Sequence, residues 1–365
     1  MNEKCFLICL GATGGHIFPG VAVATEIKNK LPKSKIVFVN TKNSNENMKK
    51  INFDYQIELI NSRGFVGKNI FDKIKSILLL FNSIFQTLKI INKVQPDYII
   101  GSGGFAWLPV AIAGFLSGKN LFTIEGNSIP GLANKISSYI SKKIYIGFEE
   151  SKKFFPKRKT VLTGYPIRKN KYKTSTKNID ILIMGGSQGS NLLNIKFATQ
   201  LEDLLLKLIQ KKIGRINIVH QTGINDYNKI KKTYEKLSKK YKIIDYKVEP
   251  FIDDIFYYLS KSKILISRAG ASTIFESFLF DIHPILVPLS SSTNNHQYKN
   301  AIETTNKRLS DIWLEKEELY KLTDKIVTQL ITPKNNIEIT SARLKIKNRD
   351  SSKLIIEDMI NGSKN

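Results

Sequence analysis

Cysteine is almost missing from this 365-residue chain, where only Cys5 and Cys9 occur. Both stand in one apolar strand-like run, and side chains four apart on a strand share a face. They read as small core residues of a reducing compartment, which excludes a disulfide framework. Long apolar runs are lacking too. No stretch is read as reaching the roughly 20 apolar residues of a membrane span, and residues 5–10 are too short a run for a signal peptide before glycines break it. Acidic residues are outnumbered, 31 against 57 Lys and Arg, which leaves a net charge of +26. Such an excess attracts anions: nucleic acid, acidic lipid or a phosphorylated substrate. Yet the lysines are spread along the chain, few aromatics lie among them, and no nucleic-acid-binding motif accompanies them. A compositional bias toward lysine explains the excess as well, and nucleic acid is not expected as a partner.

Glycine is placed where backbone must approach a ligand. Two glycine-rich turns each follow a short apolar strand: Cys5-Phe-Leu-Ile-Cys-Leu-Gly-Ala-Thr-Gly-Gly-His16 and Ile181-Leu-Ile-Met-Gly-Gly-Ser-Gln-Gly189. Each puts backbone N–H groups between a parallel strand and a helix start, where anions bind. The chain therefore reads as α/β, with two Rossmann-like doubly wound parallel-sheet domains facing each other across a cleft. Its length and 42% hydrophobic content suffice for two cores. Neither turn carries the Gly-Lys-Ser/Thr of a P-loop or the spaced glycines of a dinucleotide fold, so a kinase, an ATPase and a simple dehydrogenase lose ground.

Strand-like runs at 36–39, 98–100, 121–124 and 143–146 alternate with helical stretches, the pattern of a sheet covered on both faces. Residues 169–178 turn polar and form the best linker, after which strands are expected at 179–184, 216–220, 243–248, 264–267 and 284–287. The domains are expected at 1–164 and 165–345, with a final helical segment within 346–365 packing back on the first. Residues 68–85 form the least ordinary helix. Ile70, Ile74, Ile77, Phe81 and Phe85 mark one face, and Leu79 and Leu80 lie beyond it. A core helix packed on two sides is slightly favoured over a surface helix inserted shallowly into a membrane, with Lys68, Lys73 and Lys75 at the headgroups.

His16 follows a doubled glycine at a helix start, where the positive end of the helix disfavours imidazolium. A neutral histidine there can accept a proton, and that reading is preferred to a cap or a space filler. Gly101-Ser-Gly-Gly-Phe105 and Thr123-Ile-Glu-Gly-Asn127 end two further strands. Strand ends of a parallel sheet line the ligand crevice, so Glu125 and Asn127 should face the same space as the first turn. A solvated carboxylate and a turn-forming Asn are the plainer readings. Arg168 either grips a phosphate or makes a surface salt bridge. Ser187 offers a hydroxyl beside the second turn, as a ligand contact, an N-cap or both. Thr273-x-x-Glu276 fits a capping box, which on its own is preferred to a carboxylate that holds a ribose diol.

Taken in order, Gly11-Ala-Thr-Gly-Gly-His16, Gly101-Ser-Gly-Gly104, Ile124-Glu-Gly-Asn127, Gly164-Tyr-Pro-Ile-Arg168, Gly185-Gly-Ser-Gln-Gly189, Phe251-Ile-Asp-Asp254, the block 267–276 and Gln297-Tyr-Lys-Asn-Ala301 resemble the MurG family of bacterial UDP-GlcNAc:lipid I N-acetylglucosaminyltransferases, in glycosyltransferase family 28. The resemblance covers both halves and implies a GT-B fold and an inverting transfer of GlcNAc from UDP-GlcNAc to the C4 hydroxyl of MurNAc in lipid I, which makes lipid II for peptidoglycan. It implies His16 as general base, with Glu125 second. Ser187 and the turn 185–189 would meet the diphosphate with Arg168, Glu276 the ribose, Ile252 the uracil, and Thr273 the phosphates, within a donor-binding stretch Ala271, Ser272, Thr273, Ile274, Phe275 and Glu276. Gln297 and Asn127 would contact the sugar beside Thr13, Gly14 and Gly15. No cofactor or metal is implied, and no Asp-x-Asp motif occurs to demand one. The first domain would receive lipid I at the cytoplasmic face of an anionic plasma membrane, through residues 68–85. The chain departs from the family pattern at Ala12, at Ile124 and Gly126 in place of a His-Gln pair, and at Tyr165 in place of Asn. A related transferase acting on diacylglycerol or another polyprenyl lipid, and a UDP-GlcNAc epimerase, are the alternatives.

Overall fold

In β1 (Cys5–Cys9) every residue is buried, and alternate side chains enter two different cores. That is the mark of a central strand covered on both faces. The structure, a computed structural model, describes residues 3–11, 14–42, 55–62, 70–169, 171–173, 176–186, 188–332, 346 and 349–362, with the side chains of 70–75 and 293 excepted. It divides into two units, Met1–Lys169 with Arg349–Asn365, and Asn170–Asn348.

The first unit continues through α1 (Gly14–Lys30), β2 (Lys35–Thr41), β3 (Gln56–Ile60), α2 (Ile70–Val94), β4 (Tyr98–Gly101), α3 (Trp107–Leu116), β5 (Asn120–Glu125), α4 (Leu132–Ile140), β6 (Lys143–Ile146) and β7 (Thr160–Leu162). Its seven described strands are parallel in the order β3-β2-β1-β4-β5-β6-β7. The second unit holds β8 (Ile179–Met184), α5 (Asn191–Gln210), β9 (Ile216–Gln221), α6 (Tyr227–Lys240), β10 (Ile244–Glu249), α7 (Ile255–Lys261), β11 (Ser262–Ser267), α8 (Ala271–Leu279), β12 (Ile285–Leu286), α9 (His296–Asn306), β13 (Asp311–Ile312) and α10 (Tyr320–Ile331). Its six described strands are parallel and run β10-β9-β8-β11-β12-β13. A last helix, α11 (Ser351–Asn361), belongs to the first unit.

Phe6, Ile8 and Leu10 meet Val23 and Ile27 of α1 and Ile355, Ile356 and Met359 of α11. Cys5, Leu7 and Cys9 face the other way, toward Ile90 and Ile91 of α2 and Trp107 of α3. Both thiols are free, and burial pushes their pKa values up, which leaves them inert. An aromatic row crosses the first sheet: Phe6 stacks on Tyr98 at 4.9 Å, and Phe122 on Tyr145 at 6.3 Å. The Tyr145 hydroxyl donates to Asp358 of α11 at 2.9 Å, which fastens the returning helix. In the second unit Ile181 and Ile183 of β8 pack with Leu193, Phe197 and Leu201 of α5 and Trp313 beyond β13.

Two expectations about α2 are corrected. Its segment Ser76–Val94, with mean hydropathy 1.3, is long and apolar enough by length and composition to cross a membrane. Its buried residues are Ser76, Ser83 and Thr87, then Ile90, Ile91 and Val94 of the core, with Ile84 and Leu88 packed against that core, so it is a helix of this α/β unit. The favoured two-sided core helix also fails. Ile77, Leu78, Phe81 and Phe85 are exposed, at 46%, 65%, 57% and 65%, and small polar residues face inward instead. Lys68 lies outside the described residues, as do the side chains of Ile70, Lys73, Ile74 and Lys75.

Candidate functional site

In the first sheet the strand order reverses direction between β1 and β4, and the turns that follow such a pair open a crevice at their carboxyl ends. The turn after β1 and the loop after β4 close on each other there. A Cβ on Gly104 would stand 3.5 Å from both the Gly11 Cα and the His16 Cδ2, and a Cβ on Gly11 only 2.4 Å from the His16 Cβ. His16 Nδ1 is bonded to the Ser102 carbonyl oxygen at 2.8 Å, and the Ser102 hydroxyl donates back to the His16 carbonyl at 2.5 Å. A carbonyl only accepts, so a proton sits on Nδ1, and of the two neutral tautomers the bond selects the one whose lone pair is on Nε2. That is the tautomer of a general base that acts through Nε2.

Glu125 ends β5 and is 2% exposed, which corrects the plainer reading of a solvated carboxylate. One oxygen accepts from the Asn127 backbone N–H at 2.8 Å and the Asn127 amide at 3.2 Å. The other accepts from Gly131 N–H at 3.1 Å and the Asn134 amide at 2.9 Å. Burial pushes its pKa up, and the four donors oppose that shift. With both oxygens used in this way, the carboxylate shapes the loop that carries Asn127. The neighbouring loop is held as well, since a Cβ on Gly103 would lie 3.0 Å from the Asn134 amide. Tyr165, 4% exposed, donates its hydroxyl to the Gly15 carbonyl. The Arg168 guanidinium stacks over the Phe18 ring of α1 at 3.8 Å.

The second sheet reverses between β8 and β11, and the turn after β8 is the second glycine turn. Its shape depends on missing side chains. Gly189 has φ +77°, and a Cβ there would come within 2.0 Å of the Thr222 carbonyl, while a Cβ on Gly185 would meet Ser190 N at 2.4 Å. The Gln221 amide donates to the Gly186 carbonyl at 2.8 Å. The N-cap of α5 is Ser190, which corrects the N-cap alternative for Ser187. Ser187 and Thr13 lie outside the described residues. The Ser190 hydroxyl accepts from Arg268 Nε at 3.0 Å and Nη2 at 2.6 Å, and Arg268 Nη1 pairs with Glu315 at 2.5 Å. Both partners are buried, and the guanidinium helps hold the Glu315 carboxyl below its usual range against the opposing effect of burial.

The capping box at Thr273 and Glu276 is not formed. Helix α8 begins at Ala271 behind an extended Gly270, whose carbonyl accepts from Ile274 N–H at 3.1 Å. Thr273 is thus already the third helical residue, and Glu276, 6% exposed, lies a turn further in. Ala271, Ser272, Ile274 and Phe275 fill the same first turns. Gln297 is the second residue of α9, and its side-chain oxygen accepts from Leu289 N–H at 3.0 Å. Asn300 on that helix donates to the Ala269 carbonyl at 3.1 Å, tying α9 to the loop after β11. Ile252 is buried just past β10, beside Asp254, which caps α7 through Tyr257 N–H at 3.3 Å.

The structure thus gathers His16, Gly14, Gly15, Glu125, Asn127 and Arg168 in the first unit. The second unit holds the turn 185–189, Ile252, residues 271–276 and Gln297. Sequence reasoning gave no role to Ser102, Asn134, Gln221, Arg268 or Glu315. Only Arg268 left a signal, as a cation at a strand end directly before Ala269 and Gly270. The others act through tertiary contacts that no spacing reveals.

Two parallel Rossmann-like sheets, each with a glycine turn at its switch point, define a two-domain GT-B fold of the nucleotide-sugar transferase type. The profile of the glycosyltransferase family 28 N-terminal domain matches residues 6–146, and that of the family 28 C-terminal domain matches residues 180–357. A UDP-N-acetylglucosamine–N-acetylmuramyl-(pentapeptide) pyrophosphoryl-undecaprenol N-acetylglucosamine transferase of Thermodesulfovibrio yellowstonii is 37% identical over 85% of each chain. One of the same name from Trichlorobacter lovleyi is 31% identical over 98% of this chain and 97% of its own. The crystal structure of Acinetobacter baumannii MurG superposes with a TM-score of 0.74 at 22% identity, over 98% of both chains. The chain belongs to glycosyltransferase family 28.

Proposed function

We propose that the chain moves GlcNAc from UDP-GlcNAc to the C4 hydroxyl of MurNAc in lipid I, forming lipid II with inversion at the anomeric carbon. Relatives named for this transfer, similar along almost the whole chain, support the substrates. The observation that carries the mechanism is the His16–Ser102 bond at 2.8 Å, which fixes the tautomer with a basic Nε2. In this mechanism Nε2 takes the proton from the C4 hydroxyl, the oxygen attacks the anomeric carbon, and the bond from that carbon to the phosphate oxygen breaks. UDP leaves with the electron pair. The N–H groups of the turn 185–189 and the start of α5 would stabilise the charge growing on the diphosphate. Glu276 would hold the ribose, Ile252 would lie against the uracil, and Asn127 and Gln297 would orient the sugar, with the first turns of α8 around the phosphates. Glu125 acts in this reading by holding Asn127 in place.

The first unit would receive the lipid-linked acceptor, with the exposed Ile77, Leu78, Phe81 and Phe85 of α2 resting on the cytoplasmic face of the membrane. The deciding experiment is UDP release by the purified protein, with and without a lipid I analogue in detergent, comparing UDP-GlcNAc, UDP-glucose and UDP-galactose. Release that depends on the acceptor, is confined to UDP-GlcNAc and yields a disaccharide-lipid establishes the reading. Release from another donor, or none with lipid I, overturns it.

A further inference from the structure

We propose that Tyr165 is a positioning residue that holds His16 and Asn127 in register, and that position 126 is glycine in order to admit its ring. The inference rests on the reading of His16 as the base. Its physical origin is Pro19, which lies inside α1. In an α-helix each carbonyl accepts from the N–H four residues on, and the acceptor for position 19 is Gly15. Proline has no N–H to give, and its ring also crowds that carbonyl. The Gly15 carbonyl accepts a hydrogen bond from the Tyr165 hydroxyl instead. Gly15 adjoins His16, so this bond secures the turn of helix on which the base stands.

The same ring reaches the second loop. A Cβ on Gly126 would lie 2.3 Å from the Tyr165 Cε2 and 2.8 Å from its Cδ2, so the phenol fills the place of any side chain at 126. Gly126 stands between Glu125, whose oxygens shape the loop, and Asn127. Tyr165 is itself anchored from behind. Gly164 has φ +81°, a Cβ there would meet the Ser351 hydroxyl at 2.7 Å, and that hydroxyl donates to the Thr163 carbonyl at 2.9 Å. One buried side chain therefore spans the turn after β1 and the loop after β5.

Tyr165→Phe keeps the ring and removes the bond. Because a small misplacement of a reacting group costs up to about a hundredfold, kcat is expected to fall by about tenfold or more, with KM for both substrates changed less than about twofold. Pro19→Ala added to Y165F returns an N–H to the Gly15 carbonyl and should recover most of the lost kcat. Melting tests the geometry without turnover: Gly126→Ala lowers Tm in the wild-type background and much less in the Y165A background, where the ring is gone. A kcat for Y165F close to the wild type, a loss that Pro19→Ala leaves untouched, or equal Tm losses from Gly126→Ala in both backgrounds overturns the proposal. If the wild-type chain makes no lipid II, the functional reading fails alone, and the melting comparison still decides whether Tyr165 and Gly126 are coupled.

Discussion

At the scale of single residues, chemistry and support are separate. In the proposed mechanism His16 Nε2 is the basic atom, and the orientation of the ring comes from the Ser102 carbonyl on a different strand end. His16→Ala is expected to cut lipid II formation by at least ~100-fold while UDP-GlcNAc binding persists, since a positioned base contributes about that much. Turnover measured beside UDP-GlcNAc affinity checks it, and near-normal turnover would remove His16 from the mechanism. The buried pair Arg268–Glu315 is a second test. Removing one partner of such a pair strands the other charge, so Glu315→Ala should lower stability by about 3–5 kcal/mol. A denaturant titration with a loss under about 1 kcal/mol would show that water or the Ser190 hydroxyl compensates fully. His16 could be read from the chain because a helix start and a doubled glycine are local signals. The pairing of Arg268 with Glu315 could not, because the two lie 47 positions apart in the sequence. The capping box misled for a local reason: an extended Gly270 starts the helix two residues before Thr273, and the Thr-x-x-Glu spacing then falls inside it.

Among the elements, α2 carries the consequence that reaches furthest. Its first described turns direct serine and threonine inward and Ile77, Leu78, Phe81 and Phe85 outward, an inversion of ordinary amphipathic packing. Each such side chain gains about 1.5–3 kcal/mol when it leaves water. Leu78→Ser with Phe85→Ser should therefore weaken binding to anionic vesicles by at least tenfold and leave Tm nearly unchanged, because neither side chain is in the core. Vesicle sedimentation beside a thermal melt checks this, and unchanged sedimentation would leave the exposed stripe without a lipid role. Helical spacing marked the Ile77–Phe81–Phe85 face but not which way it points, since direction depends on what the opposite face meets. The strands missing from the sequence reading, β3, β7 and β13, are all sheet edges. Edge strands are half exposed and short, so they lose the continuous apolar run by which β1, β4 and β8 are recognised.

Considered whole, the molecule is two parallel sheets with their cores legible in the alternation and glycine turns, and with supports that only the fold reveals. One support makes stability depend on pH. His220, fully buried, accepts from the Tyr234 hydroxyl at 3.2 Å and donates to Asn194 at 3.1 Å, and the Asn194 amide donates to Asp226 and the Thr222 carbonyl at 2.7 Å each. Burial lowers its pKa from 6.5 to about 3, with a smaller opposing effect from Asp226. The unfolded chain binds this proton below pH 6.5 and the folded one does not. The stabilisation is thus complete above that pH and is lost as pH falls toward 3, at up to ~1.4 kcal/mol per pH unit. Denaturant titrations of the wild type and His220→Gln across this window should differ in slope by about that amount, and parallel slopes would show that the imidazole titrates normally.

Order of synthesis follows from the return of α11. Ile355, Ile356 and Met359 close the core around β1, yet they are translated after every strand of the second unit. The second unit, built from one continuous stretch, can fold while the first still waits for α11, with the part of one sheet face that α1 does not reach left uncovered. A chaperone that meets the nascent chain would find its exposed apolar surface on the part made first.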